Sequence, residues 1–129
     1  MNGNRRPQSL AEVAEWSDGW NEFSYHFADF LHEFQARPGA EMLQSRPRLL
    51  APLFGGGEVC DAYLASTAAT LAVRLGVSTP KWAVQPERYL RTPWFASPGA
   101  AMRACLLLES PARFRERNLF VTANALSVA

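Results

Sequence analysis

The strongest periodic pattern along the chain is an aromatic stripe. Trp16, Trp20, Phe23, Phe27, Phe30, Leu31 and Phe34 recur at steps of four, three, four, three, one and three. That spacing lays one apolar face along an amphipathic helix, and such a face is core-forming. Arg37-Pro38-Gly39 supplies the stop. Upstream, Ser9 stands three residues before Glu12, a capping-box arrangement in which hydroxyl and carboxylate satisfy each other's backbone N–H groups. A short first helix to about Trp16 is expected. Residues 1–8, interrupted by Gly3 and Pro7, read as a disordered N-terminal arm.

Past the stripe, Ala40 to Gln44 can form one more turn, and Pro47 and Pro52 bracket Arg48-Leu49-Leu50 ahead of Gly55-Gly56-Gly57. The three glycines lack the Lys-Ser/Thr of a phosphate loop and read as a flexible connector. Glu58 to Leu75, rich in Ala and Leu, predicts a second long helix with Gly76 as its C′ residue. Beyond it Pro80, Pro86, Pro93, Pro98 and Pro111 punctuate the chain, which favours short helices with Pro at or near the starts at 80, 86, 98 and 111. Gly99 to Leu108 shows little polar face and predicts a buried helix, and Ser110-Pro111 caps a last short helix through about Arg117. Leu119-Phe120-Val121 is the one strand candidate. With 129 residues the expectation is one domain over 9–129, a mostly α, compact helical bundle with two long helices and a Pro-punctuated C-terminal half.

Charge changes this picture through its distribution rather than its total. The net charge is +1, yet residues 8–36 hold Glu12, Glu15, Asp18, Glu22, Asp29 and Glu33 with no Lys or Arg, whereas residues 81–117 hold seven cations against three carboxylates. The simplest expectation is that the two halves pack and their charges meet at the rim. Cys60 and Cys105 sit in helical segments among apolar neighbours, which suits small hydrophobes in a reduced, cytoplasmic setting. No signal-peptide h-region and no bilayer-length apolar run are visible.

Candidate chemistry is sparse. Glu22, His26, Asp29 and Glu33 share one arc of the first long helix and are the residue types of a divalent metal site. That arc lies opposite the apolar stripe, so a solvated or partner-facing acidic surface is the simpler reading. Cys60 and Asp61 are adjacent, which turns their side chains apart on a helix, and no catalytic constellation or cofactor fingerprint stands out. Trp82, Tyr89, Trp94 and Phe95 lie among prolines, suited to plugging a helical core or to stacking on bases beside Lys81, Arg88 and Arg91. In S-P-A-R-F-R-E-R-N-L-F-V, Arg113 and Arg117 share a helix face at i, i+4, with Phe114 available to the core.

The segments P-K-W-A-V-Q-P-E-R-Y-L-R-T-P-W-F and L-E-S-P-A-R-F-R-E-R-N-L-F-V, with D-A-Y-L-A-S-T-A before them, resemble a C-terminal module of small uncharacterised bacterial, chiefly actinobacterial, helical proteins. Those proteins look like the non-enzymatic, antitoxin-like partner in two-gene modules with a nucleotidyltransferase-like protein, sometimes with a helix-turn-helix domain in front. The first 50 residues here give an aromatic amphipathic helix in place of that domain. What the resemblance implies is a non-catalytic protein that binds and restrains a cognate enzyme, with Trp82, Arg88, Tyr89, Trp94, Phe95, Arg113, Phe114, Arg117 and Asn118 as partner-binding residues. A small nucleic-acid-binding regulator using Lys81, Arg88, Arg91, Arg113 and Arg117 is the alternative. Homodimer formation stays open.

Overall fold

Helix α1 (Leu10–Glu15) opens a computed structural model that describes residues 5–97 and 99–127. Ser9 caps it as expected, its hydroxyl accepting from the Glu12 N–H at 3.1 Å. The Glu12 carboxylate bonds the Gln8 N–H instead of that of Ser9, and takes both Arg5 guanidinium nitrogens at 3.1 and 2.7 Å. Arg5 also lies over the Trp16 ring, and Pro7 is buried. Residues 5–8 of the expected disordered arm are therefore tied to α1, and residues 1–4 of it lie outside the described residues.

The aromatic stripe belongs to two helices. Trp16 ends α1, and α2 (Trp20–Ala36) starts four residues later behind Gly19. The break has a chemical cause: Arg48 donates to the Ala14 and Ser17 carbonyls at 2.9 and 2.8 Å and so satisfies the end of α1. From Phe23 onward the stripe is buried, Phe30 completely. Each such ring contributes roughly 1.5–3 kcal/mol by leaving water.

After α3 (Glu41–Gln44), the chain turns into α4 (Gly57–Leu75), the centre of the fold. Thirteen of its 19 residues are buried, so it is enclosed on nearly every side. Ala62, Ala65, Ala68, Ala69 and Ala72 let neighbours approach closely. Packed around α4 are α2, the 3-10 turns Lys81–Val84 and Pro86–Arg88, α6 (Ala112–Arg115) and the short strand β2 (Leu119–Phe120). β2 runs parallel to β1 (Trp94–Phe95), with Trp94 opposite Leu119 and Phe95 opposite Phe120. Helix α5 (Ala100–Glu109) leaves and returns between these two strands. The expected mostly helical, compact fold with two long helices is observed, with six α-helices among the described residues.

Three local expectations fail for identifiable reasons. Gly55-Gly56-Gly57 is a tight junction: Gly56 has φ +86°, a Cβ there would strike the Trp20 indole nitrogen, and one at Gly57 would strike the Leu50 carbonyl. Ser110 ends α5 instead of starting α6, because its single hydroxyl proton lies between the Leu106 and Val121 carbonyls and its oxygen accepts from the Val121 N–H. The charges of the acidic and basic stretches do not meet, although the stretches touch through Trp20 and Trp94: among the described residues the acids of 8–36 pair with Arg5, Arg37 and Arg48, while Arg113 and Arg117 pair with Glu116. Pro98, expected near a helix start, lies outside the described residues.

Candidate partner-docking surface

The nine residues singled out in the C-terminal half divide by burial. Trp82, Arg88, Phe114 and Arg117 are inside the protein and cannot present themselves to a partner. Trp82 donates its indole N–H to the Leu43 carbonyl at 3.0 Å, and Phe114 meets the Tyr63 ring edge-on at 5.5 Å. Arg117 is not an exposed cation at all. It donates to the Ala83 and Arg113 carbonyls at 2.7 and 2.9 Å and lies over the Tyr89 ring at 4.7 Å. Asn118 takes φ +64° and donates its side-chain amide to the Leu90 carbonyl at 2.8 Å. These bonds fasten the Pro-rich segment to the end of the chain.

Tyr89, Trp94, Phe95 and Asn118 are half-buried, and Arg113 is exposed beside Glu116. Trp94 stacks on Trp20 at 6.1 Å, and Phe95 stacks on Phe120 at 4.9 Å. Tyr89 and Trp94 line a cleft of ≈ 610 Å³ between the start of α4 and the Pro-rich segment, with Glu58, Glu87 and Arg91 also on its walls. Its mixture of both charge signs favours no single ligand class.

Beneath this cleft lies a charged pair that sequence inspection did not single out. Asp61 accepts from the Leu50 and Ala51 N–H groups at 2.7 and 2.9 Å, so it holds the chain's approach to α4. Arg88 stands 3.7 Å from it and donates to the Pro47 carbonyl at 2.6 Å. Its Nε and Nη1 have no hydrogen-bond acceptor among the described residues, but the Trp82 ring lies 5.0 Å from the guanidinium carbon. Burial pushes the Asp61 carboxyl above its usual range, against the pull of the two N–H donors and Arg88. Burial likewise lowers the Arg88 guanidinium, which remains cationic. A pair with these contacts organises the fold and is not positioned for catalysis on a ligand.

The acidic arc of α2 does not gather into a metal centre. Among the described residues no three His, Cys, Asp or Glu side chains come close enough to share an ion. His26 packs against the Trp16 and Tyr25 rings, Glu22 accepts from the Asp18 N–H, and Glu33 pairs with Arg37, which holds its carboxyl below the usual range.

The surface that stands out is α5, which was expected to be buried. Only Leu106 is buried in it, while Met102, Leu107 and Leu108 are 46, 49 and 84 % exposed. At about 100° per residue, Ala100, Ala101, Ala104, Cys105, Leu107 and Leu108 fill an arc of about 160° facing away from Leu106. The two charged residues point back toward the protein: Arg103 covers the Phe95 ring at 5.1 Å and Glu109 accepts from the Ala123 N–H at 3.1 Å. The usual polarity of a surface helix is inverted. The run A-A-M-R-A-C-L-L-L-E carried the signal, but an apolar circumference looks the same whether the cover comes from the same chain or from another.

Among the described residues no helix is long and apolar enough to cross a membrane. Comparison of the chain with protein-family models, with curated proteins and with solved structures finds no match in any of the three.

Proposed function

We propose that this chain is a non-catalytic, antitoxin-like interaction module of the cytoplasm that binds and restrains a cognate enzyme, and that α5 is the element it docks with. The observation that supports this is the outward apolar face of α5. An uncharged helical face of this kind fits the helix-in-groove mode of recognition, in which alternating turns supply the anchors. Leu108 is the central anchor, flanked by Leu107 and Cys105. The likeness of residues 80–129 to antitoxin-like proteins points to a nucleotidyltransferase-like enzyme as the partner.

The nucleic-acid reading loses ground on the same geometry. Of Lys81, Arg88, Arg91, Arg113 and Arg117, two are buried and Arg113 is paired with Glu116. Two free cations neutralise few phosphates.

Co-expression of a tagged chain with the product of the adjacent gene tests the proposal. The two are expected to elute together and growth to be rescued, and Leu108→Lys is expected to abolish both. Separate elution of the wild-type pair with no rescue would sink it.

A further inference from the structure

We infer that, without another partner, two copies of this chain pair through α5, antiparallel about a two-fold axis at Ala104. The inference uses the same helix as the docking proposal but not its partner, so either can fail alone.

The outward face is small in its N-terminal half, with Ala100, Ala101 and Ala104, and large in its C-terminal half, with Leu107 and Leu108. A two-fold axis at Ala104 sets each Leu108 on the other copy's Ala101 and each Leu107 on the other copy's Ala100. Ala104 then meets itself, so the helices approach closely where no bulk intervenes. A parallel arrangement would set leucine against leucine and alanine against alanine, leaving a gap at one end. An isologous contact of this kind is the commonest form of self-association.

The outward face also carries no charge. With Arg103 and Glu109 folded back on Phe95 and the Ala123 N–H, identical faces meet without like-charge repulsion. Area then sets the strength. A ten-residue helix is about 15 Å long, and one such contact covers well under the roughly 800 Å² per partner of a stable complex. The pair is therefore reversible and assembles on the order of micromolar concentration or above.

Two measurements on the purified chain decide the matter. Sedimentation velocity from a few micromolar to a few hundred micromolar is expected to show a monomer shifting to dimer. Leu108→Lys and Ala104→Glu, both on the outward face, should remain monomeric with an unchanged circular dichroism spectrum. A short bismaleimide is expected to join two copies through Cys105, which lies one residue from the axis, and Leu108→Lys should lose that cross-link. A wild-type chain that stays monomeric throughout overturns the inference, as does a Leu108→Lys protein that dimerises like the wild type. If the monomeric wild type still captures the adjacent gene's product through Leu108, the docking proposal stands while the dimer falls.

Discussion

The Asp61 carboxylate and the Arg88 guanidinium lie 3.7 Å apart with neither side chain reaching solvent. Removing either partner strands the other. Arg88→Met is expected to lower the unfolding free energy by about 3–5 kcal/mol near neutral pH. Burial already holds the Asp61 carboxyl above its usual range, and loss of the cation raises it further. A carboxyl whose folded-state pKa lies above its unfolded value favours the folded state when protonated, and that contribution disappears as pH rises through the folded value. Urea unfolding should therefore show the Arg88→Met deficit shrinking toward the unfolded Asp value of about 4 and growing as pH rises. A deficit independent of pH would mean that Asp61 is not the group left uncompensated.

The two cysteines should differ sharply in reactivity. Cys60 is buried in α4, and burial, with Asp61 and Glu58 nearby, pushes its thiol up to about 12. Cys105 is exposed on α5. Thiolate is the reacting form, so titration of the native chain with an aromatic disulfide at mildly alkaline pH is expected to consume one thiol per chain. The second should react only after denaturation. Two thiols reacting at equal rates would contradict the burial of Cys60.

Helix α5 offers a contrast between neighbours two residues apart. Leu106→Ala should cost about 2–5 kcal/mol, because it empties a filled site in the core. Leu108→Lys should change stability by no more than about 0.5 kcal/mol, since its side chain is already in water. Thermal unfolding of the two variants checks this. Equal losses would place the apolar face of α5 against the chain's own core.

At the entry to α4, Gly56→Ala combines a left-handed backbone with contact against the Trp20 ring, whereas Gly76, also left-handed at φ +72°, faces open space. Gly76→Ala should cost about 1–2 kcal/mol, the left-handed strain alone. Gly56→Ala should cost more and should also alter tryptophan fluorescence, because Trp20 stacks on Trp94. A smaller effect at Gly56 than at Gly76 would refute the tight junction.

Regular elements with a strong local pattern were legible in the sequence. Phe23 to Phe34 announce α2, and the Ala and Leu run with Gly76 announces α4, because periodicity and a C′ glycine are local properties. The end of α1 near Trp16 was legible too, but the group that caps it was not, since Arg48 reaches it from about thirty residues away. The roles of Arg88 and Arg117 are hidden for the same reason: an arginine looks exposed until the chain's distant carbonyls, Pro47 for Arg88 and Ala83 for Arg117, are brought to it. Trp94 and Phe95 carry no strand signal of their own, and their pairing with Leu119 and Phe120 is wholly tertiary. For α5 the composition was clear and the direction was not.

The route of the chain around α5 sets how freely that helix can change. Its entrance is pinned where Ala96 donates to the Phe120 carbonyl at 3.0 Å, and its exit where Ser110 bonds Val121 at 2.8 Å. Both anchors fall on consecutive residues, so the excursion starts and finishes at one spot, and α5 itself sends only Leu106 inside. Such a closed loop is an exchangeable cassette. Its outward residues can be rewritten while the folding of α2, α4 and the arginine fastenings proceeds unaltered.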